Sequence, residues 1–508
     1  MGCRQGRRAL LDERARRSVT AAYRNSVGET VMNLSRREML SSAGALAVAA
    51  TLPGAAMAAQ QGVSQRPPKS QRRFTSKAVE AEIARVKAKI GDPELAWLFE
   101  NCYPNTLDTT VFTGEVGGKP DTFVITGDIN AMWLRDSSAQ LQTYVHLTGE
   151  APELRRLFHG AIQRQARCIL IDPYANAYTH DPNAKSNLPA INDLTDMKPG
   201  VAERKWEIDS LCYPMRLAHG YWTNTRDKAP FDDVWAQAMR TAVDTLRVQQ
   251  RKDGPGPYHF QRVDKSPTET LMFGGYGAPT RKVGLIHSGF RPSDDACRFP
   301  FLIPSNLFAV SALRMLASVL RDTRNDSAFA RDCEALASEV EAALHAHGKM
   351  SDGKGGEVWA YEVDGYGNAI FMDDANVPSL SALPLLGSAE RNDPLYRRTA
   401  DLAWSERNPY FFKGTAAEGI GGPHIGMDMV WPMSIITRGL LSDDDAEIRQ
   451  CLKWLKTTHG GTGFMHESFH KDDPANFTRS WFAWANGLFG DLILDLERRK
   501  PALIAGRI

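Results

Sequence analysis

The sequence has no C-x-x-C pair, and its seven cysteines stand far apart, at Cys3, Cys102, Cys168, Cys212, Cys297, Cys333 and Cys451. That spacing excludes a zinc ribbon and a thioredoxin-type redox site, and an odd, unpatterned set is not a disulfide framework. The cysteines read as small buried apolar residues. Charge of either sign is not in excess: 61 Lys and Arg against 60 Asp and Glu leave a formal net charge of +1. No basic patch or stripe stands out, so nucleic acid is not an expected partner. There is no G-x-S-x-G nucleophile elbow and no phosphate-cradling G-x-x-x-x-G-K-S/T loop. Beyond the amino terminus, no stretch has the uninterrupted apolar length of a membrane span.

What is present begins with an address. Ser35-Arg36-Arg37-Glu38-Met39-Leu40 precedes an Ala-rich apolar run from Ala43 to Leu52, and Ala56-Met57-Ala58 closes it as an A-x-A cleavage pattern. The paired arginines resemble a twin-arginine export signal over residues 1–58, with Met32 as an alternative start. An internal basic anchor helix is the other reading, but the run is short for a spanning helix. The expectation is a bacterial protein, periplasmic or secreted, off the membrane in its mature form, with the twin-arginine machinery as a partner. Residues 59–75 are polar, include Pro67-Pro68 and read as a linker.

From Ser76 to the carboxyl terminus helical patterns recur. Val79, Ile83, Val86 and Ile90 share one face of a helix. Similar spacing covers Leu154–Leu170, Val234–Val248, Asn306–Leu320, Ala328–Leu344, Ile448–Leu455 and Phe482–Leu496, several starting after Pro or Asp. Strand-like segments are few: Thr109–Phe112 with Thr122–Thr126 as one hairpin, and another near Val358–Phe371. About a dozen helices joined by motif-rich loops predict an all-α domain over 76–508, compatible with an (α/α)6 barrel bearing a few short β-hairpins. No strong self-similarity at one period supports the ring independently.

Five loop segments concentrate Trp, Arg, Asp, Glu and His, and loops on a rigid scaffold are where function collects. Thr126 to Ser138 (TGDINAMWLRDSS) places Trp133 beside Arg135 and Asp136, an aromatic platform flanked by hydroxyl-binding groups, although Asp136 could equally cap a helix. Arg204 to Ser210 (RKWEIDS) sets Glu207 and Asp209 near an aromatic residue, and either acid could instead pair with Arg204. Gly289 to Ala296 (GFRPSDDA) offers Arg291 and two adjacent carboxylates, Asp294 and Asp295. These could cap a helix start, or one could hold a raised pKa as a general acid. Asp373-Asp374-Ala375-Asn376, Asn408-Pro409-Tyr410 and Glu418 to His424 (EGIGGPH) form a polar, glycine-rich rim. Gly460 to His470 (GGTGFMHESFH) contains H-E-x-x-H, which invites a zinc reading. That motif needs both histidines one turn apart on a helix, whereas the flanking glycines and Lys471-Asp472-Asp473-Pro474 predict a loop. Glu467 can act there as a base on water, or simply pair with a neighbouring His or Arg479.

Taken together these segments resemble glycoside hydrolase family 125, the bacterial and fungal exo-α-1,6-mannosidases, over essentially the whole span from Ser76 to Leu496. The resemblance implies an (α/α)6 barrel, no metal or other cofactor, and inversion at the anomeric carbon. It assigns the general acid to Asp294, with Asp295 as the fallback, and the general base to Glu467. It implies sugar contacts from Trp133, Arg135, Asp136, Glu207, Asp209, Arg291, Asp295, Asn376, His424 and His466. The implied partner is a mannose-containing oligosaccharide or N-glycan fragment. Inversion asks for carboxyls about 6.5–9.5 Å apart with water between them. Two rivals remain at this point: a sugar epimerase or isomerase relying on His287, His424 or His466, and a non-catalytic glycan-binding protein.

Overall fold

The computed structural model describes residues 62–186, 188, 192–263 and 268–508, so the export-signal reading lies outside the described residues. Twelve helices of nine residues or more occur among them. They are α1 (Lys77–Lys87), α2 (Pro93–Cys102), α3 (Leu134–Gln142), α4 (Pro152–Ile171), α5 (Ile208–Thr225) and α6 (Asp233–Val248). The second half holds α7 (Ile303–Arg324), α8 (Ser327–His347), α9 (Pro394–Ala403), α10 (Pro432–Leu441), α11 (Asp445–Thr457) and α12 (Ala483–Arg499).

Aspartates start many of these helices by accepting otherwise unpaired first-turn N–H groups. Asp92 caps α2, Asp232 caps α6, Asp326 caps α8, Asp393 caps α9 and Asp444 caps α11. Proline occupies the first turn of α2, α4, α7, α9 and α10, where its missing N–H is not needed.

The helices form two layers. α3, α5, α7, α10 and α12 pack side by side in the order α10–α12–α3–α5–α7, and the short 3-10 turn Leu383–Leu386 continues from α7. Outside them, α4 lies on α5, α8 on α7, α11 on α10, and α2 on α12. One hydrophobic core runs through both layers. α7 has the length of a membrane span and a mean hydropathy of 1.5 over its best window, but 72% of that window is buried in the protein interior. The six described cysteines are all buried free thiols.

Small antiparallel sheets decorate the helix ends. β1 (Val111–Val116) and β2 (Lys119–Val124) form the expected hairpin, displaced because Thr109 closes a preceding helical turn. β3 (Met132–Trp133), β4 (Ala177–Tyr178) and β5 (Val201–Glu203) make a three-stranded sheet, as do β6 (Met429–Val430), β7 (Ser468–His470) and β8 (Asp473–Thr478). The second expected hairpin pairs Glu362–Val363 with Ala369–Ile370. Part of the expected linker is bound to the helical body: Arg66 is buried between Glu80 and Asp108, and the Trp97 indole donates to the Val63 carbonyl at 2.7 Å.

Candidate active site

A cleft opens where β3, β7, the 291–295 turn and the segment before α12 converge. Trp133, Arg135, Asp136, Asp294, Asn376, His424 and Glu467 all line it.

Asp294 stands at the tip of a tight loop. Phe290 and Ala296 bridge its stem, Asp294 N–H donates to the Arg291 carbonyl at 2.9 Å, and Arg291 N–H donates to the Asp295 carbonyl at 2.8 Å. No helix starts here, so neither aspartate is a cap. The Asp294 backbone is left-handed, with φ 70°. Its carboxylate is partly exposed to the cleft, 3.5 Å from Asn176 Nδ2 and 3.8 Å from the buried Lys205 ammonium. Asp295 instead lines a neighbouring cavity with Arg291 and Tyr410. Burial pushes its carboxyl up to about 6 and Asp374 adds to this, while His424 and Arg291 pull the other way.

Glu467 immediately precedes β7, which pairs with β6 and β8. Gly460, Gly461 and Gly463 all have positive φ in the turn leading to it, and a Cβ on Gly463 would lie 2.8 Å from Trp97. The H-E-x-x-H run is therefore extended, and its histidines are not one helical turn apart. His466 is buried, stacks on Phe477 with centroids 3.8 Å apart, and pairs through Nδ1 with the Arg479 carbonyl at 3.1 Å. Burial depresses its pKa to about 4, so it is neutral at ordinary pH. Glu467 Oε1 accepts from Arg479 at 3.3 Å.

Trp133 ends β3 and occupies the N-cap position of α3, which no side chain caps. Arg135 and Asp136 thus sit in the first turn of α3. Burial pushes the Asp136 carboxyl up to about 6, against the pull of Arg135, with Asp294 adding to the rise. Arg135 donates to Glu207 Oε2 at 2.5 Å and to Asp209 Oδ2 at 3.1 Å. Arg204 pairs elsewhere, with Asp172 at 2.7 Å.

A family profile described as metal-independent alpha-mannosidase (GH125) matches residues 92–494. The chain belongs to glycoside hydrolase family 125. It is thereby a glycoside hydrolase of the α-mannosidase class. A Streptococcus pneumoniae structure, described as a metal-independent alpha mannosidase in a non-productive complex with alpha-1,6-mannobiose, is 40% identical with a TM-score of 0.79. That similarity covers 83% of this chain and 99% of that one. The Meiotically up-regulated gene 157 protein of Schizosaccharomyces pombe is 44% identical over 461 residues, 87% of this chain and 89% of its own.

Within this GH125 chain, five residues expected to contact sugar lie outside the cleft lining. Glu207 and Asp209 are fully buried behind Arg135, and Arg291 is held by Glu362 at 2.6 Å. Asp295 faces the second cavity and His466 is packed under β8. Glu207 and Asp209 hold Arg135, and His466 pairs with the Arg479 carbonyl. The histidines of the epimerase alternative do not converge: only His424 lines the cleft, while His287 is buried elsewhere and depressed well below its usual pKa by burial. Sequence reasoning passed over Trp431, Phe482 and Trp484, which also line the cleft; Arg479, named there as a possible partner of Glu467, lines it too. The run Arg479-Ser480-Trp481-Phe482-Ala483-Trp484 combines a cation with aromatics, the pattern that drew attention to Trp133.

Proposed function

We propose that this protein is an inverting, metal-independent exo-α-1,6-mannosidase that removes terminal mannose from a mannose-containing oligosaccharide or N-glycan fragment. Asp294 protonates the departing glycosidic oxygen, and Glu467 takes a proton from the water that attacks the anomeric carbon from the opposite face. The observation that supports this most is that two loops far apart in sequence bring these two carboxylates to one small cleft. Trp133 and Trp431 supply apolar faces for the sugar ring, and Arg135, Asp136, Asn376 and His424 supply hydroxyl partners.

The layered packing supports closure of the helices into an (α/α)6 barrel. α3, α5, α7, α10, α12 and the Leu383–Leu386 turn would be the inner ring, with the cleft at one mouth. We further propose that residues 1–58 direct twin-arginine export to the periplasm or medium and that 76–508 form the catalytic domain. Replacing Arg36 and Arg37 with lysine then retains the protein in the cytoplasm, as fractionation would show.

The reaction is tested by following α-1,6-mannobiose by proton NMR. Initial release of β-mannose is expected; α-mannose appearing first would exclude inversion, and no release of mannose at all would exclude the activity.

A further inference from the structure

The geometry points to Arg479 as a positioning residue for Glu467, with Asp128 fixing how the arginine presents itself; this rests on Glu467 being the base of the proposed reaction. Arg479 lies in the turn between β8 and α12 with a left-handed backbone, φ 48°, uncommon for a residue with a side chain. Several contacts hold it. Its carbonyl pairs with His466, the residue next to Glu467, and its guanidinium lies 4.8 Å over the Phe482 ring. One arm, Nη1, donates to Glu467 Oε1 at 3.3 Å, and the other, Nη2, donates to Asp128 Oδ1.

An arginine facing a single carboxylate favours two parallel bonds, which would engage both oxygens. Here Asp128 takes the second arm, and Glu467 Oε2 accepts no hydrogen bond from the described residues. A base that must accept a proton from water needs one oxygen uncommitted, and this arrangement leaves it one. Asp128 is 53% exposed. As a surface ion pair it adds little stability, so its effect should fall on geometry. Its loop is tightly placed: φ at Gly127 is 132°, and a Cβ there would lie 3.1 Å from Trp481. The other charged or titratable groups lining this cleft are Arg135, Asp136, Asp294 and His424.

The test compares Arg479→Met, Arg479→Lys and Asp128→Asn in the full chain, with kcat and KM for α-1,6-mannobiose measured across pH. Arg479→Met should lower kcat about 100-fold, the scale of a misplaced catalytic group. The loss should fall on kcat and leave KM little changed, because what is lost is the placement of the base. Arg479→Lys should restore part of kcat. Asp128→Asn should lower kcat by a smaller factor with KM and Tm unchanged. A loss in Arg479→Met that fell on KM with kcat kept, or wild-type kcat in Asp128→Asn, would overturn the inference. Glu467→Ala separates the two levels. If it stays active, the assignment of the base fails; if it is inactive while Arg479→Met and Asp128→Asn turn over normally, only the positioning role fails.

Discussion

Asp294 adopts a left-handed backbone that side chains other than Asn and Asp enter at a cost of about 1 kcal/mol or more. Asp294→Asn keeps a residue that tolerates this conformation while removing the ionisable proton. It should lower kcat on α-1,6-mannobiose by about 10²–10⁴-fold, the usual range for a lost general acid, with Tm unchanged. Asp294→Ala should lose activity similarly and also lower Tm; a fully active Asn variant would move the acid to another residue. Two adjacent letters do not say that the two side chains face different cavities, Asp294 the cleft and Asp295 its neighbour. Arg135 presents the opposite case, a residue legible as functional whose partners are structural. Its guanidinium donates to Glu207 and Asp209, both fully buried, whose carboxyls burial pushes above their usual range. Arg135→Met leaves two acids buried without their cation and should cost about 3–5 kcal/mol of stability by urea denaturation, since breaking a buried pair exposes the desolvation penalty of what remains.

At the scale of elements, legibility followed only in part how many faces a helix buries, since the inner-layer α7 and α12 are predicted from their spacing as well. α4, α6, α8 and α11 have one exposed face, so their apolar residues recur at helical spacing and the sequence predicts them within a few residues. α5 and α10 are covered on nearly every side, so no polar face marks a period. Pro214 inside α5 further disguises it, because proline ordinarily ends a helix. The motif segments were legible for another reason: Trp, Arg and acid together in a loop have few purely structural uses. The same difference sets the response to mutation. Leu211→Ala in α5 empties a site with no exposure and should cost about 2–5 kcal/mol. Asp232→Ala at the start of α6 removes only a cap on Trp235 N–H and an exposed pair with Lys119, and should cost about 0.5–2 kcal/mol. Urea midpoints at constant m-value would rank the two, and equal losses would contradict the placement of α5 inside the outer layer.

Across the whole molecule, near-zero net charge conceals an uneven distribution of buried acids. Asp136 and Asp295 have folded-state carboxyls pushed to about 6, chiefly by burial, whereas an unfolded aspartate titrates near 4. For such groups the folded state binds more protons than the unfolded one between those values. Their stabilising contribution is therefore complete below about pH 4 and is lost as pH rises through about 6. Acids whose folded pKa is lowered by ion pairs, such as Glu80 beside Arg66, work in the opposite sense and are lost only as pH falls below the usual carboxylate range. For Asp136 and Asp295 this predicts a contribution to stability that declines from about pH 5 to about pH 7.5, while the buried His466, held near 4, works in the opposite sense over the lower part of that range. Asp136→Asn imitates the protonated side chain at every pH, so it should flatten that decline by a few degrees while leaving Tm at about pH 5 near the wild-type value. Calorimetry of both proteins across this range measures the difference directly. Parallel curves would mean that Asp136 is already ionised in the folded protein, with Arg135 outweighing its burial.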